Sequence, residues 1–271
     1  MEHVFSPSGI AALERLSRAR SLYAFDFDGT HSRIVDFPQH ARLSGELRKS
    51  LAVLANKVPV VVISGRGLGD LVPRIDVVGV QCVGNHGAEG IGLPPSAIDS
   101  AESACRDWLV TLKTALRTAP LRHGIELEDK SLTLAVHYRR THNYAMSRKS
   151  IEAAIALLEP APRVVEGKAV YNLIPRSLPD KGKALEHLMP LEDLTDALYV
   201  GDDDTDEDVF ALLNPSLVSV RVGHSTKSSA RFFLREQAEI EGLIERLIDL
   251  QLPERPGIAA SDGRGRVTKL A

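Results

Sequence analysis

A chain of 271 residues with 44% hydrophobic content is long enough to bury one large core or two modest ones. Its 33 basic and 36 acidic residues, a formal net charge of −3, give no electrostatic basis for nucleic-acid binding, and aromatics at 5% offer few stacking platforms. No apolar run approaches the ~20 residues that span a bilayer, the start Met1 to Pro7 lacks a basic segment followed by an apolar one, and Cys82 and Cys105 match no metal spacing, so a cytoplasmic protein with reduced thiols is expected.

The first buried strand is expected at Leu22 to Phe25, and Asp26-Phe27-Asp28-Gly29-Thr30 follows it directly. Carboxylates two residues apart at a strand end point to the same side. Such a pair repels in water, so it implies a cation or a shared proton. Gly29 suits a turn that a side chain would obstruct, and Thr30 has a hydroxyl for a helix start or an anion. Asp26 is the expected nucleophile, able to form an aspartyl phosphate that water later resolves. Asp28 is the expected acid/base, protonating a departing alkoxide and then deprotonating water.

A second strand is expected over Val58 to Ile63, ending in Ser64-Gly65-Arg66. The Ser64 hydroxyl and N–H and the Gly65 N–H are expected to bind phosphate oxygens at a helix start. Gly65 to Asp70 superficially resembles a dinucleotide loop, but Asp70 stands where that motif needs glycine. A third strand is expected over Val77 to Val83.

Between about Ala101 and Pro175 the pattern changes to a helix over Trp108 to Leu116, a hairpin-like pair, a helix around Ile151 to Leu158 and a second short pair. In Ser131 to Arg139, Leu132, Leu134, Val136 and Tyr138 alternate with Thr133, His137 and Arg139, which predicts one apolar and one polar sheet face. Beyond this insert, Lys181 is expected to add positive charge at the phosphate, whereas Lys183 is expected on a helix surface. Strands are expected at Ala197 to Val200 and Leu217 to Val222.

After the fourth of these strands stands Gly201, then six carboxylates in the seven positions Asp202 to Asp208. Charge runs are usually solvated faces, and Thr205 with Asp208 has the spacing of a capping box. Asp202 is expected to act in the site, Asp203 or Asp206 to partner Lys181 or metal-bound water, and Asp204 to be a bystander. A hard divalent cation, Mg²⁺, is expected between Asp26 and Asp202 with the Asp28 main-chain carbonyl as a further oxygen ligand. Hydrolysis of phosphate monoesters needs accelerations up to ~10²¹, which calls for nucleophile, cation and anion donors together.

The fold class expected is α/β, a doubly wound parallel sheet with an inserted α+β cap: residues 1–100 and 176–252 form the core, 101–175 the cap, and 253–271, with Pro256, Gly257, Gly263 and Gly265, a loose tail.

These motifs in this order resemble the haloacid dehalogenase superfamily. Within it, Ile63 to Arg66, Asn85-His86-Gly87-Ala88-Glu89, Glu128-Asp129-Lys130, His137-Tyr138-Arg139, Gly167-Lys168, Lys181-Gly182 and Gly201 to Glu207 resemble trehalose-6-phosphate phosphatases. The resemblance implies a Mg²⁺-dependent phosphatase that releases trehalose from its 6-phosphate, with a cap that closes over the sheet and brings Glu128, Lys130, Arg139 and Lys168 to the phosphorylated disaccharide. Asn172 stands where the family has a glutamate; it keeps hydrogen bonding to sugar hydroxyls but carries no charge. His31 and Arg33 also depart from the family's usual residues after the nucleophile loop. His137 is read either as a sheet histidine or as a sugar ligand, and Asn85 and His86 as shaping the hinge or the sugar pocket. The alternatives are a phosphatase of another sugar phosphate, such as sucrose phosphate or a glycosylglycerate phosphate, and a non-catalytic sugar-phosphate sensor.

Overall fold

Alternation along the strands decides how this chain layers. Leu22, Tyr23, Ala24 and Phe25 are all buried, but Tyr23 and Phe25 join one apolar cluster while Leu22 and Ala24 join another. Leu198 and Val200 divide from Ala197 and Tyr199 in the same way. A strand with no polar face needs cover on both sides.

A computed structural model describes residues 1–32, 40–117, 124–191 and 193–251. In chain order the core elements are β1 (Glu2–His3), α1 (Pro7–Arg18), β2 (Ser21–Phe25), α2 (Gly45–Ala55), β3 (Val60–Ile63), α3 (Leu68–Ile75) and β4 (Val80–Val83). Then come α4 (Pro95–Arg117), β5 (Glu126–Asp129), β6 (Leu134–His137), α5 (Tyr144–Ile155), β7 (Arg163–Gly167) and β8 (Val170–Ile174). The chain returns through α6 (Lys181–Leu191), β9 (Asp196–Gly201), α7 (Glu207–Phe210), β10 (Leu217–Val222), β11 (Phe232–Leu234) and α8 (Glu239–Leu250).

Among the described residues, β1-β11-β10-β9-β2-β3-β4 form a seven-stranded sheet with every pair parallel, and β5-β6-β8-β7 a separate antiparallel sheet of four. This is the expected doubly wound core with an inserted α+β cap. One face of the large sheet packs on α1, α2, α3 and α8 through residues such as Leu13, Leu51, Leu71 and Leu243; the other packs on α6 and α7 through Leu185, Leu188, Val209 and Phe210.

The expected strands over Val58 to Ile63 and Val77 to Val83 are shorter at their starts. Gly79 takes a left-handed turn at φ 85° and Val78 lies exposed, so β4 begins only at Val80. Helix α4 continues N-terminally from the expected Trp108 segment to Pro95, through the proposed boundary at residue 101. Strands β1 and β11, of two and three residues, are too short to leave a period in sequence.

In the cap, Leu134, Val136, Tyr138, Tyr171 and Leu173 meet Trp108, Leu112 and Ile151 of α4 and α5 in a cluster of their own. Of the expected apolar face, Leu132 alone goes elsewhere, to a small cluster with Ala88, Ala101, Ile174 and Leu178 where cap and core join. Among the described residues no helix is long and apolar enough to cross a membrane. Arg33 and the tail 253–271 lie outside the described residues.

Candidate active site

Strands β9, β2 and β3 are consecutive neighbours in the sheet and parallel, so their carboxyl ends open on one edge, the place where open α/β sheets bind ligands. Asp26 leaves β2, Ser64 leaves β3 and Asp202 leaves β9. Lys181, first residue of α6, comes to the same edge: its Nζ donates to Asp26 Oδ1 at 2.7 Å and to Asp206 Oδ1 at 2.8 Å. Its side chain is 2% exposed, so these bonds form out of water.

Asp206 is the most heavily engaged of the acidic run. Beyond Lys181, its Oδ1 accepts from the Tyr199 hydroxyl at 2.7 Å, and its Oδ2 from the N–H groups of Asp202 and Asp203 at 2.8 and 3.0 Å. The capping box forms two residues earlier than the expected Thr205–Asp208 pairing, with Asp203 as cap and Asp206 as its return partner. Asp203 accepts from both the N–H and the hydroxyl of Thr205, so Asp206, not Asp203, serves Lys181. Asp208 instead pairs with Arg163 of β7 at 3.0 Å, a bond between core and cap. Asp204 is exposed.

The charges follow from this burial. Burial opposes the Lys181 ammonium, but Asp206 and Asp26 outweigh it and hold the lysine well above its ordinary value, fully charged. Burial pushes Asp26 well above the carboxylate range, with Asp206, Asp202 and Asp203 adding repulsion against the pull of Lys181. Burial, then Asp203 and Asp206, push Asp202 up to about 8. One lysine is therefore too little positive charge for the cluster.

Asp26, Asp202 and Asp206 each place one carboxylate oxygen within 4.8 Å of the others. Asp202 Oδ1 is buried with no hydrogen-bond partner. An oxygen-only, acid-rich set with an orphaned buried oxygen fits a hard divalent cation. The grouping of side-chain oxygens adds Asp206 to the expected Asp26 and Asp202, and the Asp28 carboxylate points to Arg66. Gly29 makes the close approach possible: at φ 85° its Cα lies against the Asp202 carboxylate, and a methyl group there would overlap it. Gly29→Ala is accordingly expected to displace Asp202 and weaken divalent-cation binding at least tenfold, beyond the roughly 1 kcal/mol of left-handed strain; calorimetric titration with an affinity equal to wild type would reject it.

Asp28 is gripped by a fork. Arg66 Nε donates to its Oδ2 and Arg66 Nη2 to its Oδ1, both at 2.7 Å, while Nη1 bonds Asp70 at 2.7 Å. Planar bidentate pairing of this kind needs arginine. The sequence placed Arg66 in the Ser64-Gly65-Arg66 motif without a role; a guanidinium that reaches back 38 residues has no local signature.

The phosphate turn differs from expectation in one donor. Ser64 N–H extends the β3–β4 pairing to the Val83 carbonyl at 2.9 Å and is spent there, and α3 starts only at Leu68. The Ser64 hydroxyl, which accepts from Arg66 N–H at 3.2 Å, and the Gly65 N–H are what the turn retains for an anion. His86 packs against this turn so closely that a Cβ on Gly65 would sit 2.5 Å from its Cε1; both its ring nitrogens are buried without partners, and burial with nearby Lys181 and Lys130 keeps it neutral. His31 lies behind the nucleophile, its Nδ1 2.9 Å from the Asp26 carbonyl. Burial lowers its pKa to about 4.

From the cap, Glu128, Ala135, Asn172 and Val165 are opposite one another across the four strands and therefore share one face, joined by His137 two residues from Ala135. Glu128 accepts from His137 Nε2 at 2.8 Å, which lowers the carboxyl's pKa. Asn172 Nδ2 donates to the Val165 carbonyl at 3.5 Å. Lys130 Nζ crosses to the Gly65 carbonyl at 3.1 Å. Arg139 and Lys168 are exposed on neighbouring turns, Arg139 Nη2 donating to the Lys168 carbonyl at 3.3 Å. Lys183 lies on the surface of α6 with its side chain 66% exposed.

Residues 24–238 match the family model described as trehalose-phosphatase. The chain is 38% identical over 232 residues to an uncharacterized glycosyl hydrolase of Mycobacterium tuberculosis, covering 81% of this chain but only 17% of that protein. It is 33% identical over 268 residues to a trehalose-phosphate phosphatase of Mycobacterium bovis, covering 90% of this chain and 67% of the relative. Among solved structures, a crystal form of Aspergillus fumigatus trehalose-6-phosphate phosphatase aligns with a TM-score of 0.62 at 26% identity, over 92% of this chain and all of the other.

Proposed function

The chain belongs to the trehalose-phosphatase family, and from that premise we propose that it is a Mg²⁺-dependent cytoplasmic phosphatase that hydrolyses trehalose 6-phosphate to trehalose and phosphate through an aspartyl phosphate on Asp26. The observation that carries the reading is the buried Asp26, Lys181 and Asp206 with the half-buried Asp202 at one sheet edge, beside a turn that keeps the Ser64 hydroxyl and Gly65 N–H.

Asp26 attacks phosphorus, the bond from phosphorus to the sugar oxygen breaks, and Asp28 gives the leaving oxygen its proton. Asp28 then takes a proton from water, which attacks phosphorus and releases phosphate and the Asp26 carboxylate. Lys181 holds Asp26 in place and presents positive charge to the phosphoryl oxygens. Ser64 and Gly65 receive the same oxygens from the other side. Arg66 takes one acceptor position on each oxygen of Asp28 and orients the carboxylate, while each oxygen keeps a second position for the proton. Mg²⁺ held by Asp26 and Asp202, with the Asp28 carbonyl, would supply charge neutralisation for the entering dianion.

On the cap, Glu128, Lys130, Arg139, Lys168 and Asn172 bind the sugar in this reading. Phosphate release should be measured over trehalose 6-phosphate, sucrose phosphate, a glycosylglycerate phosphate and glucose 6-phosphate, with Mg²⁺ and with chelator. Trehalose 6-phosphate is expected to lead kcat/KM by at least tenfold, with activity lost in chelator and restored by Mg²⁺. A preference for another sugar phosphate rejects the substrate, binding without turnover rejects the enzyme, and full activity in chelator rejects the cation.

A further inference from the structure

Asn85 begins a 3-10 turn, Asn85–Gly87, one residue after the end of β4; it is wholly buried at φ 48°, and His86 follows at φ 58°. Two successive non-glycine residues in the left-handed region are costly, and such backbone persists only where its surroundings over-determine it. Contacts on two sides do so. The Asn85 N–H donates to the Arg66 carbonyl at 2.7 Å, tying the residue to the phosphate turn. Its side-chain amide donates to the Lys130 carbonyl at 3.1 Å and accepts from the Thr133 hydroxyl at 2.7 Å, tying it to the cap.

The cap segment it grips is itself unusual. Leu132 N–H closes on the Lys130 carbonyl at 2.9 Å around Ser131 at φ 67°, the pattern of a γ-turn. Out of this turn, Lys130 Nζ reaches back over the phosphate turn to the Gly65 carbonyl at 3.1 Å. One buried amide thus sets the register between the two turns that meet at the site. A primary amide offers its donor and its acceptor on separate atoms, which lets one side chain meet the Lys130 carbonyl and the Thr133 hydroxyl at once; of the two amide residues, asparagine is the shorter and the more tolerant of the left-handed region.

We propose that Asn85 is a positioning residue that fixes Lys130 over the phosphate-binding turn, and thereby makes the enzyme select sugar phosphates over small phosphate monoesters. The inference rests on the reading that Lys130 meets the sugar. When substrate enters, Lys130 exchanges the Gly65 carbonyl for a substrate oxygen, and Asn85 with Thr133 keeps its main chain still while it does. The chemistry at Asp26 does not pass through this contact, so its loss should be felt in sugar binding and not in turnover.

The test is kcat and KM with trehalose 6-phosphate and with p-nitrophenyl phosphate, in Mg²⁺, for wild type and a small set of variants. Asn85→Gly removes the amide while suiting the left-handed backbone; Asn85→Asp keeps the shape and the bond from Thr133 but, when ionised, has no donor for the Lys130 carbonyl. Both are expected to raise KM for trehalose 6-phosphate by about tenfold with kcat within about twofold, and to leave p-nitrophenyl phosphate hydrolysis unchanged. Thr133→Ser should match wild type and Thr133→Val should fall between, which keeps the test decisive if an Asn85 variant does not fold. In a Lys130→Met background, Asn85→Gly should add nothing. Equal losses on both substrates, additivity with Lys130→Met, or wild-type KM in Asn85→Gly would each overturn the proposal. Failure of the substrate reading shows separately, in wild type, and the same ratios are then taken on whichever sugar phosphate wild type prefers.

Discussion

Asp26→Asn is expected to lower phosphate release from trehalose 6-phosphate by roughly four orders of magnitude or more, because an amide has no anionic oxygen with which to attack phosphorus. The fold should survive. Asn Oδ1 can still accept from the Lys181 ammonium that now lies 2.7 Å from Asp26 Oδ1, and burial already disfavours a charge at this position. Taking one carboxylate from a cluster with a single lysine relieves repulsion, so the melting temperature should stay level or rise while turnover disappears. Phosphate release and thermal unfolding on the same preparation separate the two effects. A residual rate within tenfold of wild type, in a variant that melts normally, would remove Asp26 from the nucleophile's place.

Asp26 and Asp202 were legible in sequence for a physical reason. Strands buried on both faces tolerate almost nothing polar, so a carboxylate that ends such a run marks the strand's exit and the sheet's binding edge. Lys181 was legible through its place at the head of a helix after the insert. Asp206 was not separable: with six carboxylates in seven positions, nothing local tells which one turns inward. The structure does so through Gly201, where a Cβ would overlap the Asp206 carboxylate, and through Tyr199, two residues before it on β9. The helix cap slipped by two residues for the same reason, since Asp203 and Thr205 are both good capping residues. Ser64 looked like a source of two donors, but sheet pairing consumed its N–H, and local sequence carries no record of where a ladder ends. The roles of Arg66 and Asn85 depend on partners 38 and 45 residues away, and a left-handed asparagine announces itself only in coordinates.

Lys181→Met should be the most informative stability change. Its ammonium is the partner, at 2.7 and 2.8 Å, of two carboxylates that are 7% and 0% exposed. Methionine keeps most of the apolar stem and removes the charge, leaving Asp26 and Asp206 facing each other and Asp202. Breaking a buried pair by deleting one member typically costs about 3–5 kcal/mol, which for a domain of this size lowers the melting temperature by roughly 10 °C. That loss is expected in chelator. Millimolar Mg²⁺ should recover part of it, and should raise the variant's melting temperature more than wild type's, because three carboxylates without a lysine gain more from a cation that binds only the folded state. Turnover should not recover: phosphoryl oxygens would still lack the lysine that meets their charge, a deficit of about two orders of magnitude or more. The two readouts pull apart only if Lys181 serves the fold and the phosphate by the same ammonium. A variant as stable as wild type in chelator would mean the carboxylates find other partners, and turnover within tenfold of wild type would leave Lys181 a structural counter-ion alone.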